Sequence, residues 1–152
     1  MNYHIRIRAC ALIIENDAVL LIEFDENGIH YNLPAGGMEP GEAVRREARE
    51  EASVDVEVGP LAFVHERAPH LTQMDPGAPH QISLMFDCRL KPGSVPRLPD
   101  RPDPNQIGVK WVPLDRLHEV KLYPNIGSRI VEYARDRSRN LELIEHHTLQ
   151  SY

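Results

Sequence analysis

The chain has little that would tie it to a membrane, a nucleic acid or an oxidising compartment. Cysteine occurs twice in 152 residues. Cys10 in "ACALII" and Cys88 in "SLMFDCRL" both lie in apolar runs, which reads as two buried free thiols rather than a disulfide or a metal pair. No apolar run is long enough to cross a bilayer, and the opening "MNYHIRIRACALII" lacks the small-residue cleavage site of a signal peptide. A cytoplasmic protein with no membrane partner is therefore expected. Lys and Arg number 17 against 23 Asp and Glu, a net charge of −6, whereas a groove for a nucleic-acid backbone needs the opposite surplus. The deficit does not exclude phosphate-bearing small molecules, because a bound cation reverses the local sign. There is no internal repeat, no domain linker and no histidine spacing of a zinc site. The length suits one domain, residues 1–152, with a core that needs no disulfide.

What is present alternates between strand and helix signals. Residues 4–14 are rich in β-branched and apolar types, with Arg6 and Arg8 alternating against Ile5 and Ile7, which predicts a strand. "AVLLIEF" (18–24) predicts a second, entered through the turn at Asn16-Asp17, and the two are expected to pair as a hairpin. Another turn cluster spans Asp25 to Gly28. The charged segment after Gly41 predicts a helix. Further strands are expected in "VDVEVGPLAFVHE", kinked at Gly59-Pro60, in "HQISLMFDCRL" and in "IGVKWVPL". "IGSRIVEYARDR" predicts a helix with Ile126, Ile130, Val131 and Ala134 on one face. The stretches 68–79 and 91–106 are dense in proline and glycine and read as long binding or lid loops. Strands mixed with two or three helices imply a layered α/β domain.

From Glu39 to Glu51 the chain holds five glutamates and three arginines. On a helix Glu47, Glu50 and Glu51 share one face, each pair costing roughly 0.2–0.5 kcal/mol of repulsion when solvated. Taken alone, such a charge run is a solvated face laced with ion pairs such as Glu42 to Arg46 and Arg46 to Glu50. The preceding "LPAGG" changes the reading. It supplies a proline-fixed entry and two glycines where the backbone bends sharply or lets a ligand approach. Three carboxylates beyond such a turn suit a hard divalent cation, with positions left over for a diphosphate.

These residues resemble the box of the Nudix hydrolases, G-x5-E-x7-R-E-U-x-E-E-x-G-U, with U a bulky aliphatic. Gly36 and Glu42 match its first half; Arg46, Glu47, Ala48, Glu50, Glu51 and Val54 match its second. "YNLP" before the box and "VKWVPLDRL" late in the chain are also similar. The box departs from the pattern twice. Three residues separate Glu42 from Arg46 where the family has seven, and Ser53 stands where the family has glycine, a position that often needs positive φ. Four residues are close to one helical turn. Either the helix is one turn shorter at its N-terminal end, or four residues are missing between 42 and 46. No Ser, Thr, Asn or Asp lies between Pro34 and Glu51 to cap it.

The resemblance implies an α/β/α sandwich with a mixed β-sheet, and magnesium-dependent hydrolysis, with manganese as a substitute, of a pyrophosphate bond in a nucleoside diphosphate linked to another moiety. It assigns Glu47, Glu50 and Glu51 as metal ligands, with Glu50, Glu51 and Arg46 catalytic and Arg46 holding a glutamate through its planar fork. Glu42 reaches the metal through water or braces the loop. Gly36 and Gly37 let the backbone pass close to a nucleotide-type substrate, and Tyr31 is the first choice to stack on its base, ahead of Phe24, His30 and Tyr123. His65, His70 and His80 could touch phosphates, but read as exposed loop or strand-end residues. The general base is a box glutamate in this reading, with Asp103 and Glu66 as outside candidates, since Asn105 and Gln106 cannot take a proton. A Nudix-like sensor that binds a nucleotide without cleaving it is the alternative. The loops and exposed strands could also build a homodimer.

Overall fold

The computed structural model describes residues 4–37, 40–69 and 78–152, residues 40–42 by backbone alone. Of the loop expected at 68–79, residues 70–77 and thus His70 lie outside the described residues, as does the side chain of Glu42. Among the described residues eight strands form one mixed sheet: β1 (Ile5–Glu15), β2 (Ala18–Asp25), β3 (Ile29–Asn32), β4 (Ala35–Gly37), β5 (Val56–Arg67), β6 (His80–Leu90), β7 (Gln106–Pro113) and β8 (Glu142–Glu145). Helix α1 (Pro40–Ala52) follows β4, and α2 (Gly127–Arg135) follows a short 3-10 helix, Leu114–Glu119. The sheet order is β3-β2-β1-β6-β5-β8, with β4 paired on β1 and β7 on β2. The short elements β3, β4 and β8 carry too little pattern to be read from sequence; the remaining strands and both helices lie where they were expected.

Strand β1 is the hinge of the architecture. Its even positions Cys10, Leu12 and Ile14 pack with Phe63, Met85, Leu117, Ile126, Ile130 and Tyr133. Its odd positions Ala9, Ala11 and Ile13 pack with Ala43, Val44, Ala48 and Ala52 of α1. Period-two alternation thus feeds both faces, and helices cover each, giving the expected α/β/α sandwich. The hairpin from β1 to β2 forms through Asn16 and Asp17, both left-handed (φ 51 and 58), as a two-residue turn of this hand requires. It spans Ile14↔Val19 and Glu15↔Ala18 before β2 diverges to pair with β7. The register of β5 on β6 slips between Val58 and Leu61, at the expected Gly59-Pro60, where a Cβ on Gly59 would meet the Asp87 carbonyl.

Helix α1 runs unbroken from Pro40 to Ala52, so the given sequence joins Glu42 to Arg46 within one helix. It ends at Ser53, which takes φ 59. The Ser53 N–H donates to Arg49 O at 3.1 Å and the Val54 N–H to Ala48 O at 3.2 Å. The position therefore has the conformation for which glycine is the natural residue, occupied by a side chain that disfavours it. Ser53→Gly is expected to stabilise the fold by about 0.5–1 kcal/mol once the extra freedom of glycine in the unfolded chain is subtracted. Calorimetry should show a melting temperature higher by about 1–4 °C; an unchanged or lower value would mean that the helix end carries no strain.

Candidate active site

Helix α1 presents Ala43, Val44, Ala48 and Ala52 to the sheet, and small side chains let its axis approach closely. Glu47 and Glu51 lie one turn apart at the edge of this apolar stripe. Glu51 is drawn inside, 5% exposed, where its Oε1 accepts the Ala35 N–H of β4 at 2.9 Å. Glu47 lies over Gly36 of the same strand, so closely that a Cβ on Gly36 would collide with its carboxylate. That is why the box has glycine here. The Glu47 and Glu51 carboxyls are close enough to act on each other directly, and Arg46 Nε is 3.7 Å from Glu47 Oε1.

Burial is the main force that pushes the Glu51 carboxyl up to about 8; the Ala35 N–H opposes it, while the charges of Glu47 and Asp103 add to it. The Glu47 carboxyl is also raised, first by burial and then by the Glu50 charge, with Arg46 pulling the other way. Two carboxyls in one desolvated place hold a proton between them unless a cation takes its place. Glu50 is exposed: the helical turn that points 47 and 51 inward leaves 50 at the solvent side. Of the three glutamates expected to converge, the structure thus brings two together. Among the described residues no three His, Cys, Asp or Glu side chains are grouped to hold a metal ion.

The opposite lip comes from the segment before β7. The Gln106 side chain is buried and donates to the Glu51 carbonyl at 2.7 Å, while its Oε1 accepts the Asp103 N–H at 3.2 Å. Asn105 takes φ 68 and donates to Glu26 at 2.8 Å. These amides do not act as acids. They staple the loop to α1, and the staple puts Asp103 on the cleft beside Glu51. The other outside acid, Glu66, is 2.8 Å from His80 Nε2.

The cleft encloses about 320 Å³ and runs from Glu51 and Asp103, past Cys10, Met85 and Leu33, to Arg8, Arg67 and His65. Phe24 and Tyr123 form its aromatic wall. Phe24 stacks on His30 with centroids 5.3 Å apart, and His30 meets Tyr123 edge-on at 5.7 Å. Tyr31, the first choice from sequence, does not line the cleft; its hydroxyl donates to Glu23 Oε2 at 2.5 Å and its ring packs on the core. His65 differs from expectation too. It sits mid-strand in β5, buried, with Nε2 3.1 Å from His146 Nδ1. Sequence reasoning named neither Arg8, Arg67 nor His146 as site residues. The one available signal was the Arg6/Arg8 alternation in β1. Ile5, Arg6 and Ile7 are all exposed at the start of β1, and of the alternating arginines Arg8, half-buried, is the one that lines the cleft.

The NUDIX domain family matches residues 4–133. The chain belongs to that family, the Nudix pyrophosphohydrolases. Solved structures share the fold at low identity. A NUDIX hydrolase from Nitrosomonas europaea superposes with a TM-score of 0.69 at 20% identity, covering 98% of this chain and 98% of that one. An ADP-ribose pyrophosphatase from Streptococcus suis 89-1591 gives 0.65 at 21%, covering 91% and 98%. A MutT NUDIX hydrolase from Burkholderia pseudomallei gives 0.63 at 21%, covering 85% and 97%. No curated protein matches the sequence. Among the described residues no helix is long and apolar enough to cross a membrane.

Burial, then the neighbouring His146 and Arg67, lower His65 from the ordinary 6.5 to about 4. A histidine depressed on folding confers stability that is complete above the unfolded value and lost as pH falls through the folded one. Between pH 6.5 and 4 the unfolded chain binds the proton first, so this side chain alone should cost up to roughly 3 kcal/mol across that window. Urea midpoints of the wild type and His65→Gln, measured from pH 7 to 4, should converge as the pH falls. Parallel curves would show that the buried imidazole is not charged on unfolding.

Proposed function

We propose that the chain hydrolyses the pyrophosphate bond of a nucleoside diphosphate linked to another moiety, with magnesium, or manganese in its place, held by Glu47 and Glu51 and completed by Glu50. The observation that carries this is the pair of partly desolvated, interacting carboxyls, of which Glu51 lines the cleft. All-oxygen donors at such a place suit a hard cation, which would replace the shared proton. Glu50, whose charge already acts on Glu47, needs a change of rotamer to join them. When bound, the cation supplies neutralisation of the diphosphate charge that otherwise repels a nucleophile.

The chain's own residues do the rest. Arg46 steadies Glu47 through charge and the planar fork. Gly36 leaves room for the Glu47 carboxylate, and Gly37 after it would let phosphate oxygens approach the backbone. Asp103, on the lip facing Glu51, is the better proton acceptor for an attacking water, because a glutamate engaged by a cation loses basicity. This revises the expectation of a box glutamate as the base. Phe24 and Tyr123 offer the apolar wall for a base or other planar group. The substrate is a soluble nucleotide-type molecule and the site of action the cytoplasm.

Product release from a panel of nucleoside diphosphate sugars, dinucleotides and nucleoside triphosphates with magnesium tests the reading. Glu51→Gln and Glu47→Gln should each lower kcat/KM by at least about 100-fold with the fold intact. Asp103→Asn should lower kcat by about 100-fold or more, with a smaller effect on KM. Tight binding of these compounds without turnover would overturn the hydrolase in favour of a nucleotide sensor.

Gly36→Ala is expected to displace the Glu47 carboxylate and weaken magnesium binding by at least about tenfold. Calorimetric titration of magnesium checks it; equal affinity would mean that Glu47 is not a ligand.

A further inference from the structure

The far end of the cleft has the opposite character from the glutamate end. Across β1, β6 and β5 the register aligns Arg8, Ser83 and His65 in one row. Two residues along, it aligns Arg6, Gln81 and Arg67 in the next. Cross-strand partners, and residues two apart on a strand, point to the same face. Three arginines therefore gather on one patch of sheet in a chain whose net charge is −6.

Acidic partners are abundant elsewhere and, among the described residues, absent here. Arg49, Arg129, Arg137 and Arg139 all pair with carboxylates. Among the described residues neither Arg8 nor Arg67 does, and Nε of each is buried without a hydrogen-bond partner. Arg8 makes one long contact, Nη2 to the Ala35 carbonyl at 3.5 Å. Burial and the charges of Arg8 and Arg6 lower Arg67 from its ordinary value. Leaving charged donors desolvated, unmatched and facing like charge is costly. An anion with several acceptor oxygens removes all three costs at once, and the guanidinium fork fits phosphate. The Gln81 amide, donating to Ser83 Oγ at 3.4 Å, adds polar groups between the two arginines.

We infer that Arg8 and Arg67, with Ser83 and Gln81 between them, bind a second anionic group of the substrate, a phosphate beyond the diphosphate at Glu47 and Glu51. The substrate class is thus a nucleotide with at least one phosphate more than the scissile linkage requires, either at the end of a polyphosphate chain or esterified to the linked group. The word substrate rests on the hydrolase reading; the anion site does not.

Tripolyphosphate titrated calorimetrically into the whole chain, with metal chelated and ionic strength fixed, tests the site itself. Saturable binding is expected, weakened at least tenfold by Arg8→Met and by Arg67→Met and unaltered by Arg97→Met on the surface. Arg8→Lys and Arg67→Lys, which keep charge and lose the fork, should fall between, and they serve if a methionine variant fails to fold. Equal affinity in every folded arginine variant overturns the site. Steady-state comparison of a nucleoside triphosphate with its diphosphate, and of a nucleotide sugar with and without a phosphate ester on the sugar, then separates the two sources. One pair should differ at least tenfold in KM, and that preference should vanish in Arg8→Met. No KM preference in either pair overturns the assignment to substrate. Anion binding without turnover of any compound would sink the hydrolase and leave the pocket standing.

Discussion

The rest of the site depends on two glutamate carboxyls, one buried and one partly so, being held close enough to act on each other. Glu51 is anchored by the Ala35 N–H, and Glu47 is pressed against a glycine that alone leaves room for it. The helix cannot relieve their repulsion by turning, because its opposite stripe of alanines and valine is locked into the sheet. Only a proton or a cation can. Packing on one side of α1 thereby sets the electrostatics on the other.

The same sheet carries a second, opposite constraint. Cys10 lies between the two ends of the cleft, lowered by the Arg8 charge and raised by that of Glu51, yet burial dominates and pushes the thiol up to about 12. It stays neutral and acts as an apolar spacer. Acids and arginines line one cavity without cancelling by direct contact, so one end favours a cation and the other an anion. Oligophosphate with its counterion has that polarity, and a desolvated cleft makes each attraction stronger than it would be in water.

Much of this was legible before the structure, and the limits have physical causes. The box, the long strands and α2 announce themselves by spacing and periodicity, which are local. Ser53 at the glycine position even reports its own left-handed backbone. Which glutamates face inward depends on how α1 is rolled against the sheet, and the motif does not encode the roll; Glu50 consequently falls outside. The aromatic wall likewise moved from Tyr31 to Phe24 and Tyr123, since Tyr31 is tied by its hydroxyl to Glu23. The arginine end was hidden for a stronger reason. Arg8 and Arg67 are far apart in sequence and come near each other only because β1 and β5 both pair with β6, and no single-strand pattern contains that register.

The shortened box shows which end of α1 carries the geometry. Removing four residues from an α-helix rotates what lies beyond by about 40° relative to whole turns. Such a rotation would spoil the site if the helix were positioned from its N-terminus. The polar contacts that fix the acids lie in its C-terminal half. The Ser53 and Val54 amides close the last turn, Gln106 grips the Glu51 carbonyl, and Glu51 itself is fastened to β4. Every one of these anchors lies after residue 47 along the helix, and with the packed stripe of Ala43, Val44, Ala48 and Ala52 they hold Glu47 and Glu51 to their bearing. A helix fastened at its C-terminal end can be trimmed at its start without moving the acids it presents.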